Sequence, residues 1–498
     1  MQQKWKRFSG TLFGLVLVLM LGMMTVRTEA AEKTITGLGT GAIGNPTPGA
    51  GGWSYVYYGT YGGKAVKYRV LDTAATEFNV NKTMLLDCDS TIEKKRFNKD
   101  SNDWSASEIR SWLNRIFYND QTGLNALERA AIAVSTKSTA APGDGDGWPG
   151  RLRYTPLDGD YIFILDAMEA TRPSYGYANT DIYDAYKIKS GSDTWWWLRS
   201  AHSDSTENEC VGNVSDVGSI GNDRVNNTAG VSPAFNLDLK SIIFSSLISG
   251  TAGSAGAEYK LTVKDKNMTI AQTSGSDVTR AGNVVTVSYT ISGSNARSVS
   301  QVSVLITDSK YSAGIAKTSG YSYFKLEDAI MEKSGTGTFT LPDQYADKTC
   351  GKDYFAYILA EDVTTGKRTD YASVPVEIII PQKDNGRSDD TKTGKITISK
   401  RPSSVKAKAK KNKVIVSWRK IKKNKAGRKL LKKIKSIQVQ YSTDKAFITN
   451  VKTKTVGKKK TKVTLKLRKK TTYYIRVRYK GAKGFSKWSK VKKVKTKK

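Results

Sequence analysis

Apolar side chains recur at every second position through the C-terminal part of this chain. Val414, Val416 and Trp418 face one way, as do Ile437, Val439 and Tyr441. Val463, Leu465 and Leu467 alternate with Thr464, Lys466 and Arg468, and Tyr473, Ile475, Val477 and Tyr479 alternate with Tyr474, Arg476, Arg478 and Lys480. A β-strand sends successive side chains to opposite faces, so this pattern describes half-buried antiparallel strands. About seven short strands in roughly 100 residues predict a β-sandwich.

The outward positions of those strands are basic. Residues 401–498 contain 38 Lys or Arg and one acid, Asp444, for a net charge of +37. The whole chain, with 81 basic and 45 acidic residues, carries +36. Residues 1–400 therefore hold 43 basic and 44 acidic residues and are close to neutral. Clustered like charge opposes compaction and attracts polyanions. The predicted partner is an anionic cell-wall polymer or membrane surface, met by Lys458, Lys459, Lys460, Lys466, Arg468, Arg476 and Arg478. No recognition helix or zinc finger marks this segment, so sequence-specific nucleic-acid binding is not expected.

The N-terminus reads as a secretory signal. Lys4, Lys6 and Arg7 precede an apolar run from Leu12 to Val26, and Thr28 and Ala30 place small residues ahead of a cleavage point after Ala30. The expected location is extracellular and cell-wall associated. Cys88, Cys210 and Cys350 are too few for a disulfide scaffold. Cys88 and Cys210 are a possible pair if they share a domain. A single histidine, His202, argues against His-rich metal centres and weakens Ser/Cys-His catalysis.

Composition divides the mature chain. Residues 249–256, rich in Gly, Ser and Ala, read as a first linker, and the polar stretch 381–394 reads as a second. Period two returns between them, in Tyr259, Leu261 and Val263, in Val302, Val304 and Ile306, and in Phe355, Tyr357 and Leu359. The predicted domains are a signal peptide (1–30), an α+β domain (32–245), a β-sandwich serving as spacer (257–380), a linker (381–400) and the lysine-rich sandwich (401–498).

The last module resembles a fibronectin type III domain. Pro402, Trp418, the segment 471–478 with Tyr473 at the tyrosine-corner position, and the sequence Gly484-Phe485-Ser486-Lys487-Trp488-Ser489 carry the resemblance. The middle module is similar to an immunoglobulin-like sandwich, without a Cys…Trp…Cys pattern.

Residues 32–245 mix strands with helix. Residues 53–61 and 66–71 predict a hairpin around Gly62-Gly63. Ser105 reads as a helix N-cap with Glu108 completing a capping box. Ile109, Trp112, Leu113 and Ile116 then form one apolar face. Leu124, Leu127 and Ile132 suggest a second helix, and residues 160–165 read as a buried strand.

Three passages, WSASEIRSWLN (104–114), DYIFILDAMEA (160–170) and WWLRS…GVSPAFNL (196–237), resemble an uncharacterised domain family of secreted bacterial proteins. That family is similar to the C-type-lectin-like fold shared with formylglycine-generating enzymes. The resemblance implies a multidomain protein, with an α+β lectin-like domain followed by two all-β sandwiches. It also implies that residues 201–230 shape a ligand face. Trp197, Arg199, Asn213, Asp216, Asn222, Asp223, Arg224 and Asn226 are the candidate ligand contacts there.

No catalytic constellation is recognised. Cys88 and Cys210 stand in no matching cysteine motif, and Ser200 and Asp204 are merely near His202 in sequence. Asp144, Asp146, Asp158 and Asp160 offer oxygen ligands, but neither pair completes a twelve-residue calcium loop, so no cofactor is predicted. The sequence is best read as a surface-associated binding or adhesion protein. Its first module would engage a glycan or protein. The alternatives are an extracellular enzyme acting on a glycan or peptide, and a structural matrix protein.

Overall fold

A computed structural model of the chain describes residues 33–497, apart from 79–80, 146–150, 204–208, 273–277, 327–333, 384–395, 399, 411, 423, 444–446, 448–450 and 482–483. The expected signal and most of the expected second linker lie outside the described residues. No described helix is long and apolar enough to cross a membrane. The chain divides into two compact units. One holds the described residues up to Asp277 with Val287–Phe339 and Thr349–Ile379; the other holds Val278–Thr286, Thr340–Lys348 and the described part of Ile380–Lys498.

In the first unit, the predicted hairpin forms between Tyr55–Tyr61 and Lys64–Ala75. Tyr61 pairs with Lys64 across Gly62 and Gly63, whose φ values of 55° and 77° fit the twist of a two-residue hairpin turn. The sheet continues through Thr83–Cys88, Ala234–Asp238 and Ile132–Ala133. A separate sheet is ordered Ile220–Arg224, Cys210–Val214, Trp196–Ala201, Thr228–Val231, Glu93–Arg96.

Residues 249–256 are not a linker between domains. They form the turn joining Ile242–Ser249 to Glu258–Lys264. The Gly253 N–H donates to the Ala42 carbonyl (3.1 Å) and the Gly256 N–H to the Trp53 carbonyl (2.9 Å). Glu258–Lys264 pairs antiparallel with Ile242–Ser249 on one edge. Its other edge runs parallel first to Tyr55–Tyr61 and then to Asp370–Ala372. The main sheet therefore crosses the expected boundary without interruption, on through Phe355–Asp362 and Gln301–Thr307 to Tyr321–Lys325. Gly, Ser and Ala suit tight turns as well as linkers, and composition alone does not separate the two.

The expected spacer changes with it. Gln301–Thr307 is buried at every position rather than at alternate ones. Its second face is covered because Leu305, Tyr357, Leu359 and Ala372 pack with Ile35, Leu38, Ile243 and Phe244. A buried polar knot reinforces this junction. Lys33 Nζ donates to Glu361 (2.6 Å) and Thr262 Oγ1 (2.7 Å), and Lys260 pairs with Asp370 (2.8 Å).

The helix near residue 105 forms with a different start. Asp103 caps a short 3₁₀ turn, Trp104–Ala106, and Ser107 caps the α-helix Glu108–Ser111 through a bond from the Arg110 N–H (3.1 Å). Ser105 is not the cap, and Glu108 instead pairs with Arg96 (2.7 Å). The helix continues as a π-helix, Trp112–Phe117, in which the Tyr118 N–H reaches back to the Leu113 carbonyl (2.9 Å). Wider π turns shift the inward face to Ile109, Leu113 and Phe117 and leave Ile116 61% exposed. The second helix is Ala126–Ala131, with a capping box between Asn125 and Glu128. The expected strand at 160–165 is displaced. Leu157–Asp160 is the strand, and Phe163 only bridges Ala234.

The second unit contains a β-sandwich. One sheet is ordered Ile396–Ile398, Phe485–Ser486, Thr472–Gly481, Ile434–Ser442, Lys452–Gly457, with Lys492–Lys495 also on Thr472–Gly481. The other is Lys406–Lys410, Lys413–Ser417, Lys462–Lys466. The alternating residues Val414, Val416, Ile437, Val439, Ile475 and Val477 meet in one core, as predicted. That core includes Ile398, so the sandwich starts within the expected linker rather than at 401. An unpredicted helix, Lys425–Lys433, precedes Ile434–Ser442. Its Gly427 fits because a Cβ there would lie 1.7 Å from the Lys422 carbonyl oxygen.

Candidate anion-binding faces and the polar N-terminal sheet

The strand Trp196–Ala201 carries two of the expected ligand contacts, and both point inward. Trp197 is fully buried, and its indole N–H donates to the Lys95 carbonyl (2.8 Å). Arg199 is fully buried as well. Its guanidinium forks onto Glu169 (2.6 and 2.8 Å), reaches Asp166 (3.1 Å) and donates to the Ile164 and Thr155 carbonyls. These partners sit where the chain folds back, since Asp166 and Glu169 form the capping box of the helix Ala167–Ala170. Lys137 completes the cluster, bonded to Glu169 and Asp144 (3.0 Å each). Arg199 is thus a structural ion-pair centre rather than a ligand contact.

Burial and the adjacent Glu169 push the Asp166 carboxyl up to about 7. Burial also opposes ionisation of Glu169, but Arg199 and Lys137 outweigh it and hold that carboxyl down at about 2. A carboxylate pair crowding one guanidinium divides in this way, because one member takes most of the positive field.

The other expected contacts fall on the hairpin of Cys210–Val214 and Ile220–Arg224. Asn213, at 1% exposure, is an interior residue rather than a ligand contact. Asp216, Asn222, Arg224 and Asn226 are exposed, and Asp223 is half-buried and accepts from Asn227 (2.7 Å). Asp216 lies in the turn of that hairpin, Asn222, Asp223 and Arg224 on its second strand and Asn226 in the turn that follows, without the aromatic Trp197. Trp195, 44% exposed, is the tryptophan the sequence reading passed over. Its place at the strand entry, one residue out of phase with buried Trp196, was the only signal.

The acidic turns are engaged elsewhere. Asp144 takes Lys137 and Arg172, and Asp160 takes Arg110 (2.6 Å). Asp146 lies outside the described residues. Among the described residues no group of three or more His, Cys, Asp or Glu is placed to hold a metal ion. No disulfide joins Cys88, Cys210 or Cys350, and burial pushes Cys88 up to about 12. His202 is buried at 2% exposure, and its backbone bridges Leu152.

The C-terminal sandwich sorts the expected basic contacts into three settings. Lys466 and Arg468 line an open groove of about 910 Å³ with Lys413, Lys452 and Lys469, and Tyr441 and Tyr473 also line it. Register stacks the charge. Lys413 pairs with Lys410 on one side and Lys466 on the other, and Ser417 lies between Lys406 and Lys462. Like charges directly opposite one another destabilise a sheet, so this face costs stability.

Lys458, Lys459 and Lys460 rim a second, smaller concavity. Arg476 and Arg478 belong to the sandwich's own packing instead. Both are half-buried in a stack in which Arg478 lies over Phe485 (3.7 Å) and Trp488 (4.3 Å), and Arg476 over Trp488 (4.7 Å) and Phe447 (4.2 Å). Each Nε donates to a glutamine, Arg476 to Gln440 (2.7 Å) and Arg478 to Gln438 (2.9 Å). Burial, together with Arg476, pushes Arg478 down to about 10. Ser489 and Ser486 hydroxyls accept from the Val477 and Tyr479 N–H groups (3.0 and 2.9 Å) and pin this segment to the sheet.

Comparisons with solved structures return several chains described as FN or fn3 domains. The chain is similar to a protein described as "Myokine structure" at 18% identity, covering 20% of this chain and 99% of that one, with TM-score 0.17. It is similar to the FN1–FN3 domains of chicken CNTN1 at 15% identity, covering 56% and 81%, with TM-score 0.17. It is also similar to the fn3 domain of human contactin 1 at 23% identity, covering 20% and 79%, with TM-score 0.17. No curated protein matches the chain. Residues 80–239, which include Arg199, Asp166, Glu169 and the polar hairpin, match the family described as Domain of unknown function (DUF6273).

Proposed function

We propose that this is a secreted, cell-surface-associated binding protein whose cationic sandwich holds an anionic envelope polymer or membrane surface. The observation that supports this reading most is the groove lined by Lys413, Lys452, Lys466, Arg468 and Lys469. Lysines placed opposite lysines are a stability cost that an anionic partner would relieve. Asp444, the only acid of residues 401–498, lies outside the described residues. The N-terminal domain, read as lectin-like, would engage a glycan or protein through Asp216, Asn222, Arg224 and Asn226.

The test uses the full chain on immobilised polyphosphate with a rising salt gradient. Each neutralised phosphate releases counterions, so retention should fall steeply with salt. The triple variant K413E/K466E/R468E should elute at lower salt than the natural chain. Equal elution of both proteins, or retention insensitive to salt, refutes the cationic-groove reading. A glycan array probed with the full chain and with N222A/R224A tests the N-terminal part.

A further inference from the structure

The second concavity of the sandwich differs chemically from the groove. It holds about 380 Å³, within the range of roughly 300–1,000 Å³ usual for small-molecule sites. Trp418, Ile437 and Tyr479 line it and are buried at 5%, 1% and 3% exposure. Ile421 and Leu431, both half-buried, complete its apolar lining. Arg419, Lys420, Lys458, Lys459 and Lys460 are exposed around it. An apolar interior under five cations is the complement of an amphiphile with an anionic head.

Local structure fixes both parts. The Trp418 indole N–H donates to the Lys460 carbonyl (3.1 Å), and the Lys460 N–H donates to the Gly457 carbonyl (2.9 Å), so the tri-lysine turn is anchored to Trp418. Leu431 comes from the helix Lys425–Lys433, near its C-terminus. Lys458 Nζ reaches the Leu431 carbonyl (3.5 Å), a favourable place for a cation at the negative end of a helix. Arg428, Lys429, Lys432 and Lys433 of the same helix are exposed. A helix with apolar residues on one side and lysines on the other suits the boundary between acyl chains and phosphate headgroups.

We infer that this concavity binds one acyl chain of a phosphate-headed lipid, with the chain against Trp418, Ile421, Leu431 and Ile437 and the phosphate at Lys458–Lys460. Resting on the envelope reading above, the pocket narrows the sandwich's partner to a lipid surface. A polyphosphate strand would satisfy the lysines but would leave the apolar lining unused. A neutral detergent would fill the lining and leave the cations without a counter-charge.

The test is calorimetric titration of the full chain with monomeric dodecyl phosphate, butyl phosphate and dodecyl maltoside. Dodecyl phosphate should bind one per chain, roughly tenfold or more tighter than either control, because only it meets both halves of the site. Equal affinity for butyl phosphate makes this a headgroup site and overturns the proposal. Equal affinity for dodecyl maltoside makes it an uncharged apolar surface and overturns it too. The half-buried positions permit I421E/L431E, which should abolish dodecyl phosphate binding while polyphosphate retention stays intact. Unchanged binding by that variant also refutes the site. Loss of polyphosphate retention by K413E/K466E/R468E is read separately, so the lipid site and the groove can fail independently.

Discussion

The Arg478 guanidinium lies 3.7 Å from the centre of the Phe485 ring. A side chain that sequence alone assigns to solvent and to an anionic partner is instead part of the sandwich's own packing. Stacking of a partly desolvated guanidinium contributes about 1–2 kcal/mol. Arg478→Ala should lower the unfolding temperature of the sandwich transition by several degrees, and Arg478→Lys by nearly as much, since an ammonium lacks the planar face. Retention of Arg478→Lys on polyphosphate should be unchanged. Thermal unfolding beside salt elution checks this; unchanged stability with weakened retention would return Arg478 to the binding face.

The Arg199 cluster makes a stability prediction. Arg199→Ala leaves Glu169 and Asp166 buried without their guanidinium and should cost about 3–5 kcal/mol. Urea unfolding at pH 7 measures it.

The same cluster predicts a pH dependence with two opposing arms. Glu169 is held at about 2, below its ordinary value of 4.5, so its stabilisation is present above pH 4.5 and is lost as pH falls from there toward 2. Asp166 is raised from 3.8 to about 7, so the folded state binds its proton more tightly. Its ionisation therefore removes stability as pH rises from about 4 to 7. Asp166→Asn should flatten that decline while leaving the acid arm in place. Unfolding free energies from pH 2 to 8 for both proteins test it, and an equal slope above pH 4 would show that Asp166 titrates normally.

The π-helix reverses an expectation about two neighbours. Ile116→Lys should change stability by less than about 0.5 kcal/mol, because the side chain is 61% exposed. Phe117→Ala should cost about 3–5 kcal/mol, because the ring is buried against Tyr61 and Trp112. A regular α-helical register would bury Ile116, so unfolding of the two variants discriminates the registers.

The lysine row offers a case in which stability and binding move apart. Lys413 stands between Lys410 and Lys466. Lys413→Thr should stabilise the sandwich by a few tenths to about 1 kcal/mol and lower the salt needed to elute the protein from polyphosphate. The stabilisation should shrink in high salt, which screens exposed charges. Thermal unfolding at two ionic strengths measures both effects.

The strands of the C-terminal sandwich were legible because period two is a local property of the backbone. Val414, Val416, Val463 and Leu465 are buried as their spacing requires. The Gly62-Gly63 hairpin was legible because a turn needs only adjacent residues, and the helix at 126–131 from the spacing of Leu124, Leu127 and Ile132. The site was less so. Charge singled out Lys466 and Arg468, which line the groove, but the same charge count applied to Arg476 and Arg478, which depend on Phe447, Phe485 and Trp488 from separate segments.

What the sequence by itself determined is the set of local periodicities and the separation of a cationic C-terminal segment from a near-neutral remainder. Only the tertiary structure decided that Glu258–Lys264 joins Tyr55–Tyr61, that Gln301–Thr307 is covered on both faces, and that Arg199 is enclosed by Asp166 and Glu169. The reason is physical. Periodicity says which side of an element is apolar, but whether a second element covers the other side is set by contacts between residues far apart in the chain.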